Sequence, residues 1–528
     1  MNRKNVGVIA RGSGHSLHTG NEPGYSRHLT PSVIGVCLVV ILASSLALVL
    51  VPGARASPTP ANSTTPRVPC GASIQAAINA AHPGETIALA PCTYVQQLTI
   101  DKSVNIVGAG AGKTIIQSPT TLNPDAFGNP WTIELGNAAT VTLSGFTLVM
   151  TLQCIITSPY AANGFQRGYA GGGMGVGGDA FLNLQSAAVT TTGAAEGAPC
   201  DVGTGFMSYG TGVAFGLDYV VGSPPAPVLV GLGTVSGVTI SGFGFGGASV
   251  SVGGGVDSPA GSHAFISNTE VIAGADDCGP AAGWGPAVSV GQGANASSAA
   301  IVDNTLTGLP GSCNTGVIVG YGSSAYIAHN TIRVQPYGSG ILVGDSGSAT
   351  ILYNSILGST TDLSGSGIEL YDGTATIAFN VIGDSECEYN ATWVAEGLCG
   401  PSFANQYQVA GIMDLFDPGL GTTIENNLVF NTDIGVELYG GCAGCVVRGN
   451  TLVNSVDYGL EGADGSYAFL QNWVVGGSYG VAAIAFTVNT AVTLSHVVMV
   501  GQSVVPFYYE NDCLSLWGYS CTDTIVGT

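Results

Sequence analysis

The sequence predicts an all-β solenoid, in which short strands wind into coils that stack on one another. One observation is the phrase apolar-x-x-Asn-x-apolar, which recurs along the second half of the chain. A second is a glycine that opens an alternating strand and recurs at nearly the same interval. Most intervals are 21 to 27 residues, and no 3.6-residue period accompanies them, which favours β coils over a helical solenoid. The phrases are centred on Asn304, Asn330, Asn354, Asn380, Asn427, Asn450 and Asn472, and on Gly316, Gly340, Gly367, Gly411, Gly435, Gly459 and Gly480.

Composition excludes several classes of protein. Only 8% of the 528 residues are charged and 81 are glycine, against about 25% charged residues in an ordinary soluble protein. The net charge of −22 argues against a nucleic-acid partner, because lysine and arginine are needed to neutralise phosphates. A single stretch is long and apolar enough to span a bilayer, so a polytopic membrane protein is also excluded.

The first 56 residues are predicted to direct export. Basic residues are followed by the apolar stretch 33–51 and by the small residues Ala54-Arg55-Ala56, the order found in signal peptides. The apolar stretch is longer than usual, so two alternatives stay open: cleavage after Ala56, or retention as a membrane anchor. Both predict a protein that is secreted or anchored at the cell surface, with membrane contact only through this segment.

An exported chain with many cysteines is expected to contain disulfides. Residues 57–69 form a Ser/Thr/Pro-rich linker, and residues 70–528 form the predicted β domain. Glycosylation acceptors occur at Asn62, Asn295 and Asn390. Twelve cysteines lie in the exported part, and sequential pairing is one of the possible connectivities; these pairs are Cys70/Cys92, Cys154/Cys200, Cys278/Cys313, Cys387/Cys399, Cys442/Cys445 and Cys513/Cys521. The repeat register supports Cys278/Cys313 separately, because the two lie 10 and 9 residues after Asn268 and Asn304, at matching places one coil apart.

The repeated asparagine is expected to stack on its neighbours and to bond the backbone of the turn. The first half is less regular, although the strand beginning at Thr140 resembles the one beginning at Gly237. We predict no coil register for residues 160–235, which are very rich in glycine. At the start, Ser73 can cap a short helix whose apolar face carries Ile74 and Ile78.

The amino-terminal phrases resemble a known superfamily. The capping helix precedes Pro91-Cys92-Thr93-Tyr94, Leu98-Thr99-Ile100 and residues 103–110, SVNIVGAG. This order is similar to the pectin-lyase-like right-handed parallel β-helix superfamily, with Cys92 in place of the usual glycine. The resemblance covers roughly residues 70–500 and implies a right-handed parallel β-helix with a short amino-terminal capping helix. It is specific for fold and not for activity.

Acidic residues form the candidate functional site. Two residues after each strand glycine the side chain is expected to face outward, and this position holds Glu369, Glu437 and Glu461. In the strand between Glu369 and Glu437, the same outward position is held by Met413, and Asp414 follows it. A bulge in that strand would bring the carboxylate of Asp414 into line with the three glutamates. Stacked carboxylates repel one another, and a bound cation, a shared proton or acid–base chemistry relieves that repulsion.

Further residues extend this prediction. Tyr371 and Tyr439 flank the acids and are candidates for stacking on sugar rings, while Asp372 and Asp464 are candidate ligands for Ca²⁺. The last two precede glycines and also suit simple turns. A long insertion between Asn380 and Gly411 is expected to stand beside the acids.

Other motifs are assigned to structure. Residues 108–114, GAGAGKT, lack the first glycine of a phosphate-binding loop. Cys442-Ala-Gly-Cys445 is interpreted as a disulfide that closes a turn, because the histidines do not cluster to complete a zinc or copper site.

Two functions are therefore carried forward. The first is binding or processing of an extracellular polysaccharide along the acidic face. The second is a non-catalytic, disulfide-stapled protein of the cell envelope or surface. The catalytic motifs of the superfamily's pectate lyases, polygalacturonases, pectin methylesterases and epimerases are absent as complete sets, so the resemblance implies no particular enzyme.

Overall fold

The structure is a computed structural model, and all the residues it describes belong to one compact unit, Pro66–Thr528. It describes residues 67–123, 131–150, 153–155, 168–191, 209–216, 230–242, 248–253, 261–274, 286–291, 297–308, 314–335, 338–358, 365–387, 395, 409–415, 421–442, 444–485, 488–511 and 523–527.

The described strands form three long sheets, and the chain passes from sheet 1 to sheet 2 to sheet 3 in each coil. Sheet 1 contains Arg67–Val68, Thr86–Leu89, Val104–Val107, Thr140–Ser144, Ala180–Gln185, Gly231–Ser236, His263–Ser267, Ser298–Val302, Ser324–Ala328, Ser348–Leu352, Thr374–Ala378, Thr423–Glu425, Val446–Arg448, Ser466–Leu470, Thr490–Ser495 and Asp523–Gly527. Sheet 2 contains Thr93–Val95, Ile115–Gln117, Thr147–Met150, Ala188–Thr191, Thr239–Ser241, Glu270–Ala273, Thr305–Gly308, Thr331–Arg333, Ser355–Leu357, Val381–Ser385, Leu428–Thr432, Thr451–Val453, Trp473–Val475 and Val498–Val500.

Sheet 3 carries the acidic residues. It contains Leu98–Ile100, Trp131–Leu135, Gly168–Val176, Tyr209–Phe215, Val250–Val252, Val288–Val290, Val317–Val319, Ile341–Gly344, Ile368–Tyr371, Ala410–Leu415, Ile434–Tyr439, Tyr458–Ala463, Tyr479–Ala485 and Val505–Asn511. One further strand, Gln153–Ile155, pairs antiparallel with Gly168–Val176. Every other described pairing in the three sheets is parallel, so the solenoid is a parallel β-helix, as the sequence predicts.

The core lies inside the coils, where each strand contributes alternate side chains. The strand Ser324–Ala328 shows the pattern, since Ala325 and Ile327 are buried while Ser324 and Tyr326 are exposed. The strand glycines are required because neighbouring coils approach closely. A Cβ on Gly340, for example, would lie 2.5 Å from the backbone oxygen of Gly367.

The predicted asparagine stack is confirmed along seven coils. From Asn330 to Asn472, the Oδ1 of each asparagine accepts the backbone N–H of the preceding one at 2.9–3.0 Å. The Nδ2 of each of the seven, Asn304 included, donates to a core-strand carbonyl one coil back. The side-chain amides also bond one another at 2.9–3.0 Å. Below we call this set the asparagine ladder.

The amino-terminal cap is also as predicted. The only described α-helix, Ile74–Ala80, is capped by the Ser73 hydroxyl, which accepts the N–H of Ala76 at 3.0 Å. Ile74 and Ile78 are fully buried against the first coils. The helix therefore covers the open end of the core.

One sequence similarity in the first half does not mark equivalent strands. The strand Thr140–Ser144 belongs to sheet 1, whereas Thr239–Ser241, which has a similar sequence, belongs to sheet 2. The register partner of Thr140–Ser144 two coils later is Gly231–Ser236. Both similar phrases end in a glycine with positive φ, Gly145 and Gly242, so the shared pattern specifies a strand and a turn but not the sheet.

Candidate functional site

The structure places the predicted glutamates in one column across sheet 3. Glu369 is in register with Met413, Met413 with Glu437, and Glu437 with Glu461. Because side chains alternate along a strand and Leu438 belongs to the core, the column lies on the face opposite the core. We call these four positions the glutamate column.

The expectation that this column faces solvent is wrong. Glu437 is 0% exposed and Glu461 1% exposed, while Glu369 is half-buried. The physical reason is a second apolar cluster on this face, separate from the core. The column continues from Glu461 through Ala482 to Tyr508, and both of these belong to the cluster. Its members are Ala410, Ile434, Tyr458, Ala463, Ala482 and Ile484, with Met413, Tyr439, Tyr479 and Tyr508 packed against them.

Tyrosine rings form the densest part of this cluster. The ring centroids of Tyr458, Tyr479 and Tyr508 lie 4.9–5.5 Å apart, with interplanar angles of 33–52°. Such tilted contacts are typical of stable aromatic packing. Three neighbouring strands of sheet 3 thus contribute to one aromatic cluster, and Tyr458 lies on the same strand as Glu461.

Burial changes the acid–base properties of the column. Burial, and then the nearby carboxylate of Glu369, together raise the pKa of Glu437 to about 8. Neither carboxyl oxygen of Glu437 has a hydrogen-bond partner among the described residues. The pKa of Glu369 is also raised by burial, although the Ser339 hydroxyl, which donates to its Oε2 at 2.5 Å, lowers it in part. Glu437 is therefore a protonated acid at neutral pH.

The two predicted tyrosines lie beside the glutamate column, two residues further along their strands. Tyr371 is in register with Leu415, and Leu415 with Tyr439, so the tyrosines are two strands or roughly 10 Å apart. Tyr371 is 41% exposed and Tyr439 is half-buried. Burial, and then the carboxylates of Asp464 and Glu437, raise the pKa of Tyr439. Its phenol therefore stays protonated at neutral pH.

Asp414 does not join the column, contrary to the bulge that the sequence allowed. It is in register with Leu370 and Leu438, and both leucines face the core. The strand continues regularly through Met413 and Asp414, so alternation turns the aspartate inward. Its carboxylate is 2% exposed and lies beside Cys445, with Oδ2 at 3.6 Å from Sγ.

Asp372 and Asp464 cannot share one Ca²⁺ ion. They follow strands separated by three strand spacings, or roughly 14 Å, whereas a calcium ligand lies 2.3–2.6 Å from the ion. Both have φ near +55° (55° and 53°), which is typical of the turn role. Asp464 also accepts the backbone N–H of Val488 at 3.2 Å. Among the described residues, the group close enough to hold one ion is instead Asp414, Cys442 and Cys445.

Asp433, which is not among the candidate site residues predicted from the sequence, is a fully buried carboxylate at the base of the insertion. It accepts the N–H of Cys387 at 3.1 Å and that of Val409 at 3.0 Å, so it holds together the two points where the insertion leaves and rejoins the coils. The signal was available, since an aspartate stands two residues before the strand glycine both here and at Asp457. Nearby, burial and then Asp384 raise the pKa of Glu386 to about 7.

Comparison with known proteins identifies the family. The Beta_helix family, described as a right handed beta helix region, matches residues 231–494, which is half of the chain. The chain belongs to the right-handed β-helix family. The comparison with curated proteins gives no match.

Solved right-handed β-helix structures are similar over most of the chain, at low sequence identity. The A-module of the Azotobacter vinelandii mannuronan C-5 epimerase AlgE6 is 13% identical with a TM-score of 0.33, covering 86% of this chain and 94% of that one. A PL6 alginate lyase in complex with a trisaccharide is 15% identical with a TM-score of 0.38, covering 85% and 89%. The Dettilon tailspike protein is 12% identical with a TM-score of 0.41, covering 71% and 63%.

Two of the predicted cysteine pairs are present as disulfides in this β-helix. Cys70 is bonded to Cys92 and Cys442 to Cys445, with Cα atoms 5.9 and 5.4 Å apart. Cys387 is also disulfide-bonded. The other predicted features lie outside the described residues, or outside the described side chains in the case of Cys154; they are the segment 1–56, most of the linker, Cys200, Cys278, Cys313, Cys399, Cys513, Cys521, Asn62, Asn295 and Asn390. In the part of the chain that the structure describes, no helix is long and apolar enough to cross a membrane.

Proposed function

We propose that this protein is exported and cleaves a polysaccharide by acid–base chemistry at the glutamate column. The observation that carries the proposal is Glu437, a buried acid with no hydrogen-bond partner among the described residues, next to a second carboxyl group on the adjoining strand. An acid whose pKa is about 8 holds a proton at the pH where a glycosidic oxygen needs one.

The register supports a division of roles. Adjacent parallel strands lie about 4.8 Å apart, close to the roughly 5–5.5 Å between the two carboxyl groups of retaining glycosidases. Glu437 would protonate the leaving oxygen while Glu461 attacks the anomeric carbon and forms a glycosyl ester. Water, deprotonated by Glu437, would then hydrolyse the ester, so that the original proton is recovered. Glu369, two strands from Glu437, raises the pKa of the acid through its charge.

The charge of the chain favours a neutral polysaccharide. The net charge is −22 and the chain has 11 basic residues, so a uronic acid polymer would be repelled unless a cation such as Ca²⁺ bridged the two. Tyr371 is exposed beside the column and offers a ring face to a sugar. Since Glu437 is fully buried, catalysis requires the apolar side chains over the column to move aside when substrate binds.

A second candidate is a non-catalytic rod that is stapled by disulfides and stands at the cell surface or in the envelope. The same burial favours it, because a catalytic carboxyl group must touch its substrate and both Glu437 and Glu461 are at most 1% exposed. The asparagine ladder and the two disulfides give the coils the rigidity that such a rod requires.

One experiment separates the two functions. The full chain is incubated with neutral and uronic polysaccharides between pH 4 and 7, with and without Ca²⁺, and new reducing ends and unsaturated products are measured. We expect reducing ends from a neutral polymer, and a fall in kcat of about 10²- to 10⁴-fold in Glu437→Gln and in Glu461→Gln. The matched control is Glu270→Gln, which makes the same change at an exposed position on sheet 2. Absence of cleavage in every condition, or equal activity in all three variants, would overturn the catalytic proposal and favour the rod.

A further inference from the structure

Three donor atoms from two neighbouring coils meet at the corner that follows sheet 3. The sulfurs of Cys442 and Cys445 and a carboxylate oxygen of Asp414 all lie within 4.8 Å of one another. Two of the residues, Asp414 and Cys442, are at most 6% exposed, and Cys445 is partly buried against the core. The C-x-x-C spacing is the one that pairs of zinc-binding cysteines use.

The backbone holds this corner in place independently of the disulfide. Before Cys442, the N–H of Gly441 donates to the phenol oxygen of Tyr467 at 3.0 Å. After Cys445, the N–H of Val446 donates to the carbonyl of Thr422 at 2.9 Å. The turn is thus fixed to the following coil on one side and to the preceding coil on the other. Reduction of the disulfide would leave both sulfurs near the carboxylate.

A structural staple alone explains this arrangement poorly. A disulfide stabilises mainly by closing a loop, and the loop between Cys442 and Cys445, with a sequence separation of 3, is among the shortest possible, so its effect is small. The carboxylate of Asp414 stands in register between two core leucines and lies beside the disulfide, with Oδ2 at 3.6 Å from the Sγ of Cys445. Buried charges are typically paired or coordinate metals, and a divalent cation at this corner would be neutralised by the carboxylate and two thiolates.

We propose that reduction of the Cys442–Cys445 disulfide by a dithiol creates a three-ligand site for a thiophilic divalent cation such as Zn²⁺. The dithiol gives two electrons and two protons to the disulfide and becomes a disulfide itself, with the partly exposed Cys445 as the sulfur it reaches first. The cation then displaces the two thiol protons and binds both sulfurs and Asp414. Zinc–sulfur bonds of about 2.3 Å fit donors at this spacing after a small rotation of the cysteine side chains.

The site would be gated by redox state. The oxidised protein offers a single carboxylate at this corner, whereas the reduced protein offers three ligands and an open fourth position for water or an external ligand. Sulfur donors select Zn²⁺ and similar soft cations over Ca²⁺ and Mg²⁺, which prefer oxygen. From sequence alone, Cys442-x-x-Cys445 is assigned to a turn, because the third ligand is an aspartate 28 residues before Cys442 and not a histidine.

The test uses the full chain, reduced with a phosphine and freed of reductant under argon. Titration with Co²⁺ should give thiolate-to-cobalt charge-transfer absorption that saturates at one equivalent, and Zn²⁺ should displace the cobalt. The oxidised protein should give no such absorption. Asp414→Asn should weaken Co²⁺ binding by at least about tenfold while the charge-transfer band is kept. The control Asp303→Asn, which changes an exposed aspartate in a turn after a sheet 1 strand, should bind Co²⁺ as the unaltered chain does.

Controls separate this corner from the other disulfides. The variant Cys70→Ala with Cys92→Ala should bind Co²⁺ normally, and the variant Cys442→Ala with Cys445→Ala should not. If the second variant does not fold, the reduced unaltered chain is alkylated with and without Cd²⁺, and the modified cysteines are mapped by mass spectrometry. Protection confined to Cys442 and Cys445 supports the site. Absence of binding by the reduced chain, or alkylation of these two cysteines at an unchanged rate with Cd²⁺, overturns it.

Discussion

The asparagine ladder and the glutamate column are built on the same plan and have opposite energetics. The ladder repeats a buried asparagine on successive coils, and the column places two buried glutamates, Glu437 and Glu461, on adjacent strands about 4.8 Å apart. In the ladder, the amide of Asn380 donates to Asn427 and accepts from Asn354. In the column, Glu437 has no hydrogen-bond partner among the described residues. An amide carries both a donor and an acceptor, whereas an ionised carboxylate can only accept.

The comparison shows when stacking of identical side chains stabilises a β-helix. A group that donates in one direction along the solenoid and accepts in the other satisfies its neighbours on both sides. A carboxyl group in the same position must take up a proton, bind a ligand or repel its neighbour. The first arrangement stabilises the fold, and the second leaves a titratable group, which is why we place the proposed site in the column and not in the ladder.

The largest effect is expected from breaking the ladder. In Asn380→Ala, the backbone N–H and side-chain amide of Asn354 lose their acceptor, and the carbonyl of Ile351 loses a donor. Each buried polar group left without a partner costs about 1–3 kcal/mol, so we expect the free energy of unfolding to fall by about 3–5 kcal/mol. Urea denaturation measures it, with the exposed Thr376→Ala on the adjacent strand as control. A loss below about 1 kcal/mol would contradict a structural role for the ladder.

The free energy of unfolding should depend on pH through the glutamate column, whereas the asparagine ladder contains no group that titrates. The pKa of Glu437 is about 8 in the folded state, against 4.5 for an ordinary glutamate. Between these values the folded chain holds a proton that the unfolded chain has lost. The free energy of unfolding should therefore fall as pH rises from about 4.5 to 8, by up to about 1.4 kcal/mol per pH unit, and level off above.

Glu437→Gln should reduce this slope, because the amide does not titrate, whereas Glu369 and Glu386, whose pKa values are also raised, keep a part of it. Thermal and urea unfolding between pH 5 and 9 compare the variant with the unaltered chain and with Glu270→Gln, whose exposed carboxyl group should leave the slope in place. Curves that run parallel for the unaltered chain and Glu437→Gln would show that Glu437 is ionised in the folded protein at neutral pH. The argument for it as the acid would then fail.

The sequence predicted the two regions to different depths. Positions such as Asn354 and Glu437 follow from counting along a repeat, since register is local information. Burial of the column does not, because it accompanies an apolar cluster that several strands assemble, with residues such as Ile434 and Ala482. The contact between Asp414 and Cys445 likewise joins two coils at a corner. Alternation along strands predicts which side chains point inward, but not which residues meet at a corner.

The smallest change in the free energy of unfolding is expected from a third column, formed by the aromatic residues His329, Tyr353 and Phe379. Each of them directly precedes an asparagine of the ladder. Tyr353 is stacked between His329 and Phe379, with ring centroids at 5.2 and 5.1 Å and planes within 9°. It is 51% exposed, and its φ of 56° is unfavourable for a residue with a Cβ. The stacking therefore opposes a local backbone cost, which the ladder does not face.

Two substitutions of Tyr353 separate the contribution of ring stacking from the cost of the backbone conformation. Tyr353→Ala removes the stacking and keeps the backbone cost, so we expect the free energy of unfolding to fall by about 1–2 kcal/mol. Tyr353→Gly also removes the stacking but relieves the backbone, so its loss should be smaller by about 1 kcal/mol. Urea denaturation of both variants gives the difference directly. Equal losses would mean that the turn imposes no backbone cost on Tyr353. The aromatic column would then stabilise the coils, like the asparagine ladder, without an opposing term.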